Sequence, residues 1–96
     1  MDKLNILYVE DDRTAAGTLL AIAAGEGDRV IWEDTGEGGL RRAGSEAFDV
    51  IILDRMLPDT DGVSVTQRLR EAGVDVPILM LSALGRAQDR VEGLEA

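Results

Sequence analysis

Four short apolar runs with the composition of β-strands recur along the chain, and charged residues, glycine or proline bound each of them. The third and fourth runs are apolar at nearly every central position, which is typical of strands that are buried on both faces of a sheet. The pattern therefore predicts four β-strands, at Leu4–Val9, Arg29–Glu33, Phe48–Asp54 and Val76–Ala83.

The segments between the strands carry apolar residues at the spacing of amphipathic helices. Gly25 and Gly27 provide stop signals after the first segment, while internal glycines weaken the second. The predicted helices are Arg13–Ala24, Gly36–Ala47, Val63–Gly73 and a last one within Leu84–Ala96. Regular alternation of strand and helix with short connections predicts an α/β fold, with a doubly wound parallel sheet covered by helices on both faces.

Composition narrows the possible functions. The chain has 96 residues, 45% of them hydrophobic but only 3% aromatic, so we expect one domain with an aliphatic core. A formal charge of −9 disfavours direct nucleic-acid binding, and the absence of His and Cys removes the usual ligands for softer metals. No apolar run approaches the roughly 20 residues of a membrane span, and the N-terminus turns acidic too early for a signal peptide. The sequence thus predicts a cytoplasmic protein.

Acidic side chains follow two of the predicted strands. The first strand is followed by Glu10, Asp11 and Asp12, the third ends in Asp54, and the fourth ends near Ser82. In a doubly wound sheet, ligands bind beyond the carboxyl ends of the strands. If these strands are neighbours, several carboxylates share one pocket and repel one another, and a hard cation with oxygen ligands relieves that repulsion. The pattern therefore predicts an Mg²⁺ site.

Three motifs together resemble a known family. The segments "ILYVEDD", "FDVIILDRMLPDTDG" and "PILMLSA" resemble the receiver domain of two-component response regulators, in particular the class that precedes winged-helix DNA-binding domains. The resemblance spans essentially the whole chain, with the motifs in the right order. It implies a flavodoxin-like fold with strand order 2-1-3-4-5. It also implies a signalling switch that accepts a phosphoryl group from a sensor histidine kinase and controls an output, transcription in that class.

The resemblance also implies roles for individual residues. Asp54 would be the phospho-acceptor, and Ser82 would be the hydroxyl residue that moves to bond the phosphoryl group. Asp11, Asp54 and the backbone carbonyl of Met56 would bind Mg²⁺, with Glu10 holding the ion through water. Pro58 and Gly62 would shape the following loop. Such a domain catalyses only its own phosphorylation and dephosphorylation, so we do not class it as an enzyme.

The sequence departs from the family pattern at its C-terminal end. The family continues with a fifth strand that carries a lysine, and then a fifth helix, whereas the single lysine here is Lys3. We therefore expect residues 1–96 to form a receiver domain that is incomplete at its C-terminus. We also expect a bare fourth-strand edge, exposed apolar surface on the first helix, and a homodimer or element exchange through the side formed by the fourth strand and fourth helix. A phosphorylation-independent interaction or dimerisation module with the same fold is the alternative function.

A second aspartate has to be weighed against Asp54. The segment "DTDGV", starting at Asp59, matches the Asp-x-Asp motif of haloacid-dehalogenase-like phosphatases, but that motif follows a strand directly, and this strand has already ended. An EF-hand loop fails because Leu57 and Arg68 would occupy ligand positions. We expect Asp59 to be a loop residue and Asp61 a helix cap, as we do for Asp12. Trp32 is expected on the second strand, away from the pocket.

Overall fold

The backbone follows the predicted alternation of strands and helices. A computed structural model of the protein describes residues 3–81 and, by backbone alone, residues 91–95. The strands are β1 (Asn5–Val9), β2 (Arg29–Glu33), β3 (Val50–Asp54), β4 (Ile78–Leu81) and β5 (Val91–Glu95). The helices are α1 (Arg13–Glu26), α2 (Gly36–Ser45) and α3 (Gly62–Glu71). Among the residues that the structure describes, no helix has both the length and the apolar character needed to cross a bilayer.

The strands form one sheet in the order β2-β1-β3-β4-β5. The first four strands are parallel to one another, which confirms the α/β, flavodoxin-like fold and the order 2-1-3-4 predicted from the sequence. Since β1 lies between β2 and β3, the chain reverses its winding direction there. The carboxyl ends of β1 and β3 are therefore adjacent, with Val9 in register with Leu53.

The end of the chain differs from the prediction. A helix within Leu84–Ala96 and a sheet without a fifth strand were expected, yet Val91–Glu95 forms a strand that runs antiparallel to β4. The remainder of the predicted helix lies outside the described residues. Two effects account for the change. Gly93 weakens the helical alternative, and the outer edge of β4 offers backbone hydrogen bonds that a short isolated helix cannot match. The expected bare β4 edge is thus paired within the chain.

The two faces of the sheet are packed unequally. The larger core lies under α2 and α3, and its buried members are Leu7, Val9, Ala43, Phe48, Ile51, Leu53, Val65, Leu69 and Ile78. Apart from Phe48 these residues are aliphatic, as the composition predicted. On α1 only Ala16 and Ala23 are buried, while Ile22 is 60% exposed. The expectation of exposed apolar surface on the first helix is therefore confirmed.

Each helix begins at a polar cap. The Asp12 side chain accepts hydrogen bonds from the amides of Thr14 and Ala15, and Asp61 accepts one from the amide of Ser64. Both residues are thus the N-caps that the sequence predicted. α1 ends two residues later than expected, where Gly27 adopts a left-handed conformation with φ of 80°.

Candidate metal and phosphorylation site

Three carboxylates meet at the carboxyl ends of β1 and β3. Glu10 and Asp11 directly follow β1, and Asp54 is the last residue of β3. Each contributes a carboxylate oxygen, and these oxygens all lie within 4.8 Å of one another. Glu10 and Asp54 are buried, whereas Asp11 is exposed. The structure thus brings together the three acidic residues that the sequence singled out as metal ligands, at the place where doubly wound sheets bind ligands.

Glu10 is held by four hydrogen-bonding contacts. Its amide donates to the carbonyl of Glu33 at 2.9 Å, and its carbonyl accepts from the Trp32 indole at 2.7 Å. Its carboxylate accepts from the Asp12 amide at 3.1 Å, and the Tyr8 hydroxyl lies 3.4 Å from the other carboxylate oxygen, which is long for a hydrogen bond of this type. Both the backbone and the side chain of Glu10 are therefore fixed.

The loop after Asp54 is tied back onto this residue. The amide of Met56 donates to Asp54 Oδ1 at 3.2 Å, and the amide of Gly62 donates to the carbonyl of Arg55 at 2.7 Å. A Cβ atom at position 62 would lie 2.8 Å from the Asp54 carbonyl oxygen, so Gly62 is required by close backbone approach. The loop-shaping role expected for Gly62 is consistent with this packing. The Met56 side chain is 62% exposed, and the role of its carbonyl as a ligand remains a prediction.

Burial and mutual repulsion disfavour the ionised forms of these acids. Burial, together with Asp54 and Asp11 nearby, raises the pKa of Glu10 to about 7. Burial, and to a smaller extent Asp11, also raises the pKa of Asp54. Burial and the charge of Glu10 raise the pKa of the Tyr8 hydroxyl, which therefore stays protonated at neutral pH. A cation placed among these oxygens would relieve the repulsion.

The donor set fits a hard divalent ion. All three side chains offer oxygen, and Mg²⁺ is held in proteins by one or two carboxylates together with water and phosphate oxygens. Buried Glu10 and Asp54 with exposed Asp11 leave one side of the cluster open to solvent. Ser82, the remaining predicted site residue, lies outside the described residues.

The competing aspartates are engaged in structural contacts. Asp59 accepts hydrogen bonds from the amides of Gly36 and Glu37, at 2.8 and 3.0 Å, and so caps the first turn of α2 from the loop after β3. Asp61 caps α3. Neither belongs to the acidic cluster found among the described residues. Asp59 is therefore a loop residue, as expected, and its contacts give the phosphatase-like interpretation no support.

Sequence reasoning missed two aromatic residues at the site. Trp32 lies on β2, as expected, but the expectation that it lies away from the pocket is wrong, because its indole donates to the Glu10 carbonyl. Tyr8 was not singled out at all. The period of a β-strand could have identified Tyr8, because side chains two positions apart, such as Tyr8 and Glu10, lie on the same face. Tyr8 in turn pairs with Trp32 on the neighbouring strand.

Comparison with known proteins identifies this combination of fold and site. The chain is a doubly wound α/β domain with three acidic residues at its switch point. The family model of the response regulator receiver domain matches residues 6–96. The chain belongs to the response regulator receiver domain family.

Similar curated proteins are transcriptional regulators. The chain is 37% identical over 92 residues to the transcriptional regulatory protein DltR of Streptococcus agalactiae, covering 96% of this chain and 41% of the relative. It is 39% identical over 92 residues to CusR of Escherichia coli, covering 96% of this chain and 40% of the relative. It thus spans about two fifths of the length of these two relatives.

Solved receiver domains share the fold. A Francisella response regulator receiver domain superposes with a TM-score of 0.81 at 27% identity, covering 90% of this chain and 71% of that one. The receiver domain of a sensor histidine kinase from Pseudomonas aeruginosa superposes with a TM-score of 0.80 at 32% identity, covering 91% of this chain and 73% of that one. That structure has a magnesium ion coordinated in its active-site cleft.

Proposed function

We propose that this chain is a phospho-acceptor switch in which Asp54 receives a phosphoryl group in an Mg²⁺-dependent reaction. The observation that carries the proposal is the cluster of Glu10, Asp11 and Asp54, whose carboxylate oxygens lie within 4.8 Å of one another. The family match and the magnesium-bound relative support the same assignment.

The chemistry follows from the arrangement of the carboxylates. One Asp54 carboxylate oxygen attacks the phosphorus of the donor, a new O–P bond forms, and the N–P bond of a phosphohistidine breaks with its electron pair on the ring nitrogen. The product is an aspartyl phosphate, which water later cleaves to inorganic phosphate. Bound Mg²⁺ would supply positive charge to the phosphoryl oxygens. Asp11, Asp54 and the Met56 carbonyl would hold the ion directly and Glu10 would hold it through water, while Ser82 would bond the transferred group.

The biological setting is proposed from the family and its members. The donor is a phosphohistidine on a sensor histidine kinase, or a small phosphodonor, and the controlled output is transcription in the cytoplasm. The names of the similar regulators support this output. The chain would act only on itself, so its role is signalling rather than turnover of a substrate. Phosphorylation would shift the population of two conformations of the domain surface.

A binding module without phosphorylation is the rival function. It would use the same fold as a docking or dimerisation surface. Such a module need not bind Mg²⁺.

For either function, we propose the β4–β5 side of the sheet as the surface of a homodimer or of strand exchange, because an antiparallel edge strand can be supplied equally by a second copy.

Magnesium titration separates the two functions. Isothermal calorimetry of the parent chain should show saturable Mg²⁺ binding, and Asp11→Ala should weaken it by roughly tenfold or more because a direct ligand is lost. Asp75→Ala is the matched control, since Asp75 is exposed and lies just before β4, at the opposite end of the sheet. Equal Mg²⁺ affinity of the parent and Asp11→Ala would contradict the site assignment.

A further inference from the structure

The single tryptophan of the sequence contacts the backbone of the acidic cluster. Trp32 lies on β2 and is half-buried, and its indole Nε1–H donates to the carbonyl oxygen of Glu10 at 2.7 Å. The two residues are 22 positions apart in the sequence. The contact therefore couples the second strand to the segment that follows the first one.

The Glu10 carbonyl lies at the point where the β1–β2 ladder stops. The Glu10 amide makes a final ladder bond to the Glu33 carbonyl at 2.9 Å. β2 ends at Glu33, and the chain then turns into α2, whose N-cap is Thr35. A continuing strand would provide the next donor to Glu10. Because β2 has ended, the Trp32 indole provides the donor instead.

The indole thereby fixes the direction in which the chain leaves β1. With the amide of Glu10 bonded to Glu33 and its carbonyl bonded to Trp32, the peptides on both sides of Glu10 are held. The carbonyl of Glu10 belongs to the peptide that leads into Asp11. The orientation of this peptide determines where the exposed Asp11 carboxylate stands relative to buried Asp54.

We propose that Trp32 is a positioning residue for the metal site, holding the Glu10–Asp11 peptide so that the three carboxylates stay together. The proposal rests on the proposed function, since it assigns Trp32 a role in cation binding at that site. Three carboxylates in one pocket repel one another, and the exposed Asp11 segment is the part most able to move away. Bonds that orient ligands in advance lower the cost of bringing them together around a cation.

The first test removes the indole N–H and keeps an aromatic ring. Trp32→Phe should weaken Mg²⁺ binding by roughly tenfold in calorimetry, the lower end of what loss of a ligand-orienting bond costs. Ile31→Val is the matched control, because Ile31 precedes Trp32 on the same strand and packs against the core under α2 and α3. It should perturb β2 without changing Mg²⁺ affinity. Thermal unfolding of both variants without Mg²⁺ reports the structural cost separately.

The second test measures the unmodified chain, with Asp11→Ala only as its control. The sequence has one tryptophan, and its indole proton therefore gives one assignable NMR signal. If the indole bond and Mg²⁺ binding are linked, each favours the other. Saturating Mg²⁺ should then slow exchange of the indole proton with water several-fold, and Asp11→Ala should abolish the effect.

The outcomes separate this proposal from the proposed function. The positioning role is supported if the parent chain binds Mg²⁺, Trp32→Phe binds it more weakly, and Ile31→Val binds it as the parent does. Mg²⁺ must also slow exchange of the indole proton. Parental Mg²⁺ affinity in Trp32→Phe, or indole exchange that Mg²⁺ leaves unchanged, overturns the positioning role and leaves the metal site standing. Absence of saturable Mg²⁺ binding by the parent chain overturns both.

Discussion

Glu10 combines burial with two acidic neighbours, and its charge state should therefore depend on pH near neutrality and on bound cations. Its pKa is raised from 4.5 to about 7, and burial is the largest cause. For an acid, a raised folded-state pKa means that the folded protein binds more protons than the unfolded chain between these two values. This group therefore contributes stability at low pH that is lost as the pH rises.

We accordingly predict that the metal-free chain loses part of its unfolding free energy as the pH rises from about 4.5 to 7. Glu10→Gln should abolish this pH-dependent loss, because glutamine does not titrate. Mg²⁺ binds the ionised form, so it should stabilise the parent more at pH 7.5 than at pH 5.5. Urea unfolding across this range, with and without Mg²⁺, measures both effects. Parallel pH profiles for the parent and Glu10→Gln would contradict the prediction.

At the scale of elements, the loop after β3 is anchored to the start of α2. The Asp59 carboxylate accepts hydrogen bonds from the amides of Gly36 and Glu37, and a Cβ atom at Gly36 would clash with the Thr60 side chain. The loop that carries Met56 thus rests directly on the first turn of α2. The Asp59 side chain thus links the loop after β3 to the start of α2, two segments that lie far apart in the sequence.

Removing this cap should destabilise the domain without touching the acidic cluster. Asp59→Ala is expected to cost about 0.5–1 kcal/mol of unfolding free energy, toward the lower end for a cap because Asp59 is exposed. The two amides lower the pKa of Asp59 below 3.8, so its contribution is present above that pH and is lost as the pH falls further. Urea unfolding of Asp59→Ala at pH 6 and pH 3, with Asp75→Ala as the control, measures this loss of unfolding free energy. A loss that is equal at both pH values would contradict the prediction.

Element prediction from the sequence succeeded where the pattern is local and strong. The apolar runs located β1 to β4, and the acidic residues after β1 and β3 identified the cluster, because parallel strands bring their carboxyl ends together. β3 and β4 each begin two residues later than predicted, and at β4 the preceding Pro77 lacks an amide for the ladder. β5 was missed because its pairing depends on the β4 edge. Trp32 was placed on the correct strand, but its contact with Glu10 was missed because a side chain can reach past the end of its own strand.

At the scale of the whole molecule, the sheet is closed on the β4 side by a strand of opposite direction. β5 pairs with β4 with Leu94 opposite Leu79 and Val91 opposite Leu81, and the register shifts between these pairs. β5 thereby covers an edge of β4 whose backbone groups could otherwise pair with another chain.

Deleting residues 91–96 should therefore promote self-association. The chain that ends before Val91 exposes the β4 edge, which can then pair with a second copy, and sedimentation velocity should show dimers or larger species that grow with concentration. The full 96-residue chain at the same concentrations is the control. If the shortened chain sediments as a compact monomer across the range, β5 does not protect this edge.

The central claim is that Asp54 accepts a phosphoryl group with the help of Mg²⁺. The most direct test incubates the chain with acetyl phosphate and Mg²⁺ and maps the modified residue by mass spectrometry. We predict one phosphoryl group on Asp54, lost in Asp54→Asn and without Mg²⁺, and nearly unchanged in Asp59→Asn, whose side chain caps α2. Modification that persists in Asp54→Asn, or that follows Asp59, would contradict the account.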